Sequence, residues 1–190
     1  MNKVNPNDVA KWFCSKNIIE DLNSEDGNIK LQKLLFFAQL IYMAKHNGET
    51  MFDEKFNAFK NGMVLERIRK QYKNNYKQFV VNTNDLIFDD EIVEVLKLTE
   101  DIFGHVSAQE LSELSHEFDA WNKYFKKSTT ALGKYITSLS VVPYEELRKE
   151  LYKIKKVLDA YKQTSEFDYT DGTEDYWLII SKFWTFYHLD

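Results

Sequence analysis

The chain is poor in three residue types, and each scarcity excludes something. Its one cysteine, Cys14, rules out an internal disulfide framework. Two prolines and six glycines in 190 residues are too few for a turn-rich β-sandwich, which leaves long helices. Histidines number four, at 46, 105, 116 and 188, and no HExxH, paired-cysteine motif, nucleophile elbow or phosphate-cradling glycine loop occurs. A signal-peptide core is missing from MNKVNPNDVAKW, so the expected location is the cytoplasm. A net charge of −5 favours solubility and gives no global pull toward nucleic acid. The length suits one domain whose core needs no staple.

Aromatics are what the chain has in quantity: 14 Phe, 11 Tyr and 4 Trp. The densest apolar stretch is residues 29–47, IKLQKLLFFAQLIYMAKHN. A helix apolar nearly all round is buried among other helices. Lys30, Gln32, Lys33 and Gln39 interrupt it too often for a membrane span. Asn28 is the expected N-cap, and Gly48 suits the left-handed position past the C-terminal end.

The rest of the chain also reads mainly as helix. Asn5 caps a first helix, with Pro6 and Asp8 in its opening turn, that runs to about Leu22 and holds Cys14 as a small buried hydrophobe. Residues 48–64 read as an extended connector with a turn at Asn61-Gly62. Residues 65–80 form a helix with Arg67, Arg69, Lys70, Lys73 and Lys77 on one face among Tyr72, Tyr76 and Phe79. Such a face is read as solvated, with the aromatics packed inward; gripping single-stranded nucleic acid is the alternative.

A polar loop is expected at 82–85. Residues 91–103 are an amphipathic helix, entered by Asp89, Asp90 and Glu91 as dipole partners rather than metal ligands. Ser107 and Glu110 spell a capping box. Residues 128–130 are expected to cap a helix over 131–139, and Pro143 to open another ending near Gln163. The tail is acidic and aromatic over 166–177, and 176–189 reads as a closing helix packed on the core. The acidic stretch offers Asp168, Tyr169 and Asp171 to a basic partner.

Three blocks in order resemble one family. Residues 30–39, KLQKLLFFAQ, are similar to the KLQKLLYFAQ opening of the Panacea domain, also described as the SocA-like antitoxin domain of bacteria and their phages. FDEKFNAFKNGMV, residues 52–64, is similar to its second block, with Asn61 and Met63 where the family has Tyr and Pro. LSELSHEFDAW, residues 111–121, is similar to its ELSxLTHxExPW signature, keeping His116 and Trp121. Matching positions are Lys33, Phe37, Gln39, Lys60, Gly62, His116 and Trp121.

The combined expectation is an all-α, single compact domain around a buried central helix, with one short β-ribbon near 56–64. Residues 1–140 would be the family domain and 141–190 a helical extension packed on it. The resemblance implies an antitoxin that binds a cognate toxin and covers its working surface, with no catalytic residue, metal or cofactor. Expected partner contacts are Lys60, Asn61, Gly62, Met63, His116 and Trp121, joined by Asp168, Tyr169 and Asp171. The partner is a protein toxin or another protein target, with a protease system as a further candidate; neither membrane nor nucleic acid is expected, and oligomeric state is left open. Two rivals stand beside this: a phage or mobile-element protein inhibiting a host or defence target by binding it, and a nucleic-acid module using the 67–77 face.

Overall fold

The computed structural model describes residues 3–80 and 86–165. The expected loop at 82–85 and the tail, with Asp168, Tyr169 and Asp171, lie outside the described residues. Among the described residues, eight helices surround one two-stranded ribbon, so the expected all-α class with a short ribbon holds.

The first helix, α1 (Pro6–Cys14), is capped by Asn5, whose side chain accepts from Asn7 N at 3.0 Å. It stops at Cys14, well short of Leu22. The Ser15 hydroxyl donates to the Trp12 carbonyl at 2.6 Å, and the chain turns to deliver Ile18 and Ile19 to the core.

The central helix, α2 (Glu25–Lys45), begins one turn earlier than Asn28 suggested. Ser24 is the cap and accepts from Gly27 N at 2.9 Å. Asn28 instead lies within the helix and donates to the Arg69 carbonyl at 3.2 Å. Residues 30–43 are all buried, including Lys30, Gln32, Lys33 and Gln39. Past the end, Gly48 takes the left-handed conformation at φ +86° and donates to the Met43 carbonyl at 2.7 Å.

The remaining helices are α3 (Glu66–Asn75), α4 (Asp90–Phe103), α5 (Ala108–His116), α6 (Asp119–Ser128), α7 (Tyr144–Arg148) and α8 (Leu151–Ser165). Helices α1, α3, α4, α5 and α8 all pack on α2. Phe36 meets Phe56 and Phe118 edge-on at 5.2 and 5.3 Å, and Phe37 stacks on Phe103 at 4.2 Å. Such ring pairs add about 0.5–1.5 kcal/mol each beyond their burial. The Ser107–Glu110 capping box forms as expected at the start of α5.

Strands β1 (Asn57–Phe59) and β2 (Gly62–Val64) pair antiparallel, Asn57 opposite Val64 and Phe59 opposite Gly62. The other edge of β1 is also engaged. Ala58 N donates to the Ser140 carbonyl at 2.9 Å, and Val142 N donates to the Phe56 carbonyl at 2.8 Å.

Three further expectations need correction. The basic helix ends at Asn75 and continues as a 3-10 turn over Tyr76–Phe79. Residues 131–139 are not a helix. Gly133 sits at φ +75°, Thr130 Oγ1 accepts from Lys134 N at 3.0 Å, and only a 3-10 turn at Thr137–Leu139 forms. The helix expected from Pro143 to Gln163 is two helices, α7 and α8. Glu150, at the break, turns a carboxylate inward to accept from Asp119 N at 2.8 Å and Ala120 N at 2.9 Å. It thereby serves the N-terminus of α6, whose own cap residue, Phe118, has no side-chain acceptor. No helix among the described residues is long and apolar enough to cross a membrane.

Candidate functional site

The turn Lys60-Asn61 joins the two strands, and Gly62 follows at φ +88°. Glycine is required here twice over. Its φ is left-handed, and a Cβ would lie 1.9 Å from Ser115 Oγ and 2.8 Å from Lys33 Nζ. The Ser115 hydroxyl of α5 and the lysine of α2 can therefore close directly under the turn.

Side chains from three helices hold that turn by its backbone. From α2, Lys33 Nζ donates to the Met63 carbonyl at 2.8 Å. From α5, Ser112 Oγ donates to the Asn61 carbonyl at 3.2 Å, and His116 lies against the Lys60 backbone. From α6, Trp121 Nε1 donates to the Phe59 carbonyl at 2.8 Å. The His116 ring stacks on Trp121 at 3.8 Å, and Trp121 stacks on Phe125 at 5.2 Å. Contacts at Phe59, Lys60, Asn61 and Met63 leave the hairpin tip little freedom.

The electrostatics are set by burial. Lys33 has no exposed surface, and desolvation pushes its ammonium down to about 7. Burial first, and then the Lys33 charge, also lower His116; its contact with the Lys60 backbone and the nearby Glu113 act the other way. His116 Nε2 is shielded from solvent and has no hydrogen-bond partner among the described residues. The imidazole is thus favoured in its neutral form, as a positioning group stacked in an aromatic column. Cys14 is buried far along α1, and desolvation pushes its thiol up to about 12, the opposite of what activates a cysteine.

Two clefts flank the tip. The first, of about 490 Å³, lies between the start of α2, the tip and α3; Lys33, Phe59, Lys60, Asn61, Arg69 and Tyr76 are among its lining. The second, of about 590 Å³, lies toward α5 and carries Glu20, Asp21, Asp26 and Lys30. Ser24, Ile29 and Asn61 line both and form the ridge between them. One cleft is thus predominantly basic and the other predominantly acidic.

The structure gathers most of the expected residues here, in two different roles. Lys60 and Asn61 are exposed, whereas Gly62 and Met63 are buried. His116 and Trp121 are partly buried and grip the hairpin backbone instead of lining the first cleft. Phe37 and Gln39 are scaffold: Gln39 Oε1 accepts from Met51 N at 3.2 Å and Phe52 N at 3.3 Å. Ser112 stands in the third matching block, but a serine in the middle of a helix announces no contact with a loop 51 residues away. The basic face of α3 is partly neutralised, with Arg67 paired to Glu54 at 2.6 Å and both Arg69 and Lys70 paired to Glu66 at 2.7 and 2.9 Å.

Among curated proteins and among solved structures, none matches the chain. Residues 31–122 match the family model described as Antitoxin SocA-like, Panacea domain. That span contains Lys33, the hairpin, Ser112, His116 and Trp121, all the parts that build and clamp the tip. Residues 31–122, a little under half of the chain, are thus similar to the SocA-like Panacea domain of this antitoxin family.

Proposed function

We propose that this protein neutralises a cognate protein toxin in the cytoplasm by binding it directly, with the hairpin tip at the centre of the contact surface. One observation carries the reading. The tip backbone is fixed by Lys33, Ser112, His116 and Trp121, while Lys60 and Asn61 project into solvent. A projection that is already ordered loses little conformational freedom on binding, so more of the contact energy becomes affinity. The two clefts of opposite charge on either side of Asn61 give a partner one favoured orientation. Neutralisation then needs no bond to be broken. An interface of about 1,600 Å² covers a toxin's working surface, and nanomolar affinity corresponds to about −12 kcal/mol. The ion pairs that occupy Arg67, Arg69 and Lys70 favour this reading over nucleic-acid binding by the same helix.

The test is co-expression with the product of the adjacent gene, scored for growth and co-purification. The native chain is expected to restore growth and to co-purify. Lys60→Glu and Asn61→Trp, both at exposed positions, are expected to lose rescue with an unchanged melting temperature. Rescue retained by both variants would remove the tip from the interface, and rescue without co-purification would refute direct binding.

A further inference from the structure

We propose that the cleft between the start of α2, the hairpin tip and α3 is a binding site for a small phosphorylated nucleoside, its ring held against Phe59 and Tyr76 and its phosphate by Lys60 and Lys73. The volume, about 490 Å³, falls in the range of small-molecule sites. Three aromatic side chains line it, two of them, Tyr72 and Tyr76, one helical turn apart with ring centres separated by 6.2 Å. Arg69 lies over the Phe59 ring at 5.0 Å while bonded to Glu66, so it stiffens the wall instead of serving as a free donor.

The interior polar groups are already spent on the fold. Tyr72 OH donates to the Leu22 carbonyl at 2.6 Å. Asn28 donates to Arg69, and Gln32 accepts from Leu65 N at 2.8 Å. What the wall offers a ligand is therefore the partly exposed ring surface of Phe59 and Tyr76, backed by the buried Tyr72, which binds a planar base by stacking without reading its edge.

Charge supplies the second half of the argument. Lys60 and Lys73 are exposed at the rim and make no ion pair within 4.0 Å among the described residues. Among the described residues, Glu25 is the one carboxylate on the lining. Lys33 adds an amine behind the floor whose hydrogen bond is to a carbonyl, not a carboxylate. Low-dielectric walls concentrate the field of these cations on the cleft, where an anionic group supplies the missing counter-charge. The neighbouring acidic cleft of similar size has the opposite preference and serves as an internal control.

Isothermal titration calorimetry on the full chain tests this without any protein partner. The probes are AMP and GMP, with adenosine and inorganic phosphate as the separate halves. At least one nucleotide is expected to bind, and each half to bind more weakly by about tenfold or more. Lys60→Glu with Lys73→Glu, at two exposed positions, is expected to weaken nucleotide binding by about tenfold or more. Glu20→Lys, in the second cleft, is expected to leave it unchanged. No heat with either nucleotide at millimolar concentration overturns the proposal. So does phosphate binding as well as the nucleotides, or an affinity indifferent to the charge reversal at Lys60 and Lys73.

Discussion

Lys33 shows what a single side chain does when the fold takes it fully out of water. Its amine, held near 7 by desolvation against an ordinary 10.5, binds its proton more weakly folded than unfolded. Between those values the unfolded chain carries the extra proton, so stability rises with pH, at up to about 1.4 kcal/mol per unit. Urea denaturation is therefore expected to show this gain from about pH 7 to about pH 8.5, and Lys33→Met to remove it. The comparison stays below 9.0, where the Cys14 thiol of the unfolded chain is half ionised while the folded one is still protonated. Gly62 gives a second single-residue measurement. Gly48 and Gly62 share nearly the same φ, +86° and +88°. A Cβ at Gly48 would meet the flexible Arg148 side chain at 3.2 Å, whereas one at Gly62 would overlap Ser115 Oγ at 1.9 Å. Both alanine variants carry about 1–2 kcal/mol of left-handed strain. Gly62→Ala is expected to cost about 2 kcal/mol more than Gly48→Ala in a urea midpoint comparison, the difference being the clash beneath the tip.

At the scale of elements, Glu150 joins α8 to α6 across a sequence gap that no periodicity spans. Its buried carboxylate accepts two backbone N–H groups and pairs with Lys153 at 2.7 Å. Glu150→Gln leaves Lys153 charged and buried, and is expected to cost about 3 kcal/mol by chemical denaturation. The double variant with Lys153→Met is expected to recover part of that, a coupling read directly from the cycle. The same residue explains one limit of reading the sequence. Leu147, Leu151 and Ile154 keep helical spacing straight through the break, because the interruption answers a need of α6 and not of its own segment. Residues 131–139 misled for a similar reason: Tyr135 OH donates to the Ala58 carbonyl, and Ser140 and Val142 join β1, so tertiary pairing overrides local propensity. Signals confined to one turn were legible. The Ser107–Glu110 box, the Asn5 cap, Gly48 and Gly62 all do locally what their chemistry indicates. The tip and its two family-matched neighbours, His116 and Trp121, were also legible as a group. Their division into projecting and gripping residues was not, because burial is a property of the assembled helices.

For the molecule as a whole, α2 is the common wall of α1, α3, α4, α5, α8 and β2. The family-matched span, 31–122, supplies most of that wall but only some of what leans on it. It omits α1, the opening of α2, most of α6, and all of α7 and α8. A fragment limited to 31–122 would leave bare the faces of α2 that α1 and α8 cover. It is expected to elute as aggregate on size exclusion and to bind a hydrophobic dye, whereas the full chain stays compact and does not. The pairing of β1 with the stretch around Ser140 carries this further. Strip that stretch away and the Phe56 carbonyl and Ala58 N–H face water in a row, open to the next copy's backbone. The smallest piece able to display the tip in isolation must therefore reach past Val142, whatever the extent of its recognisable motif.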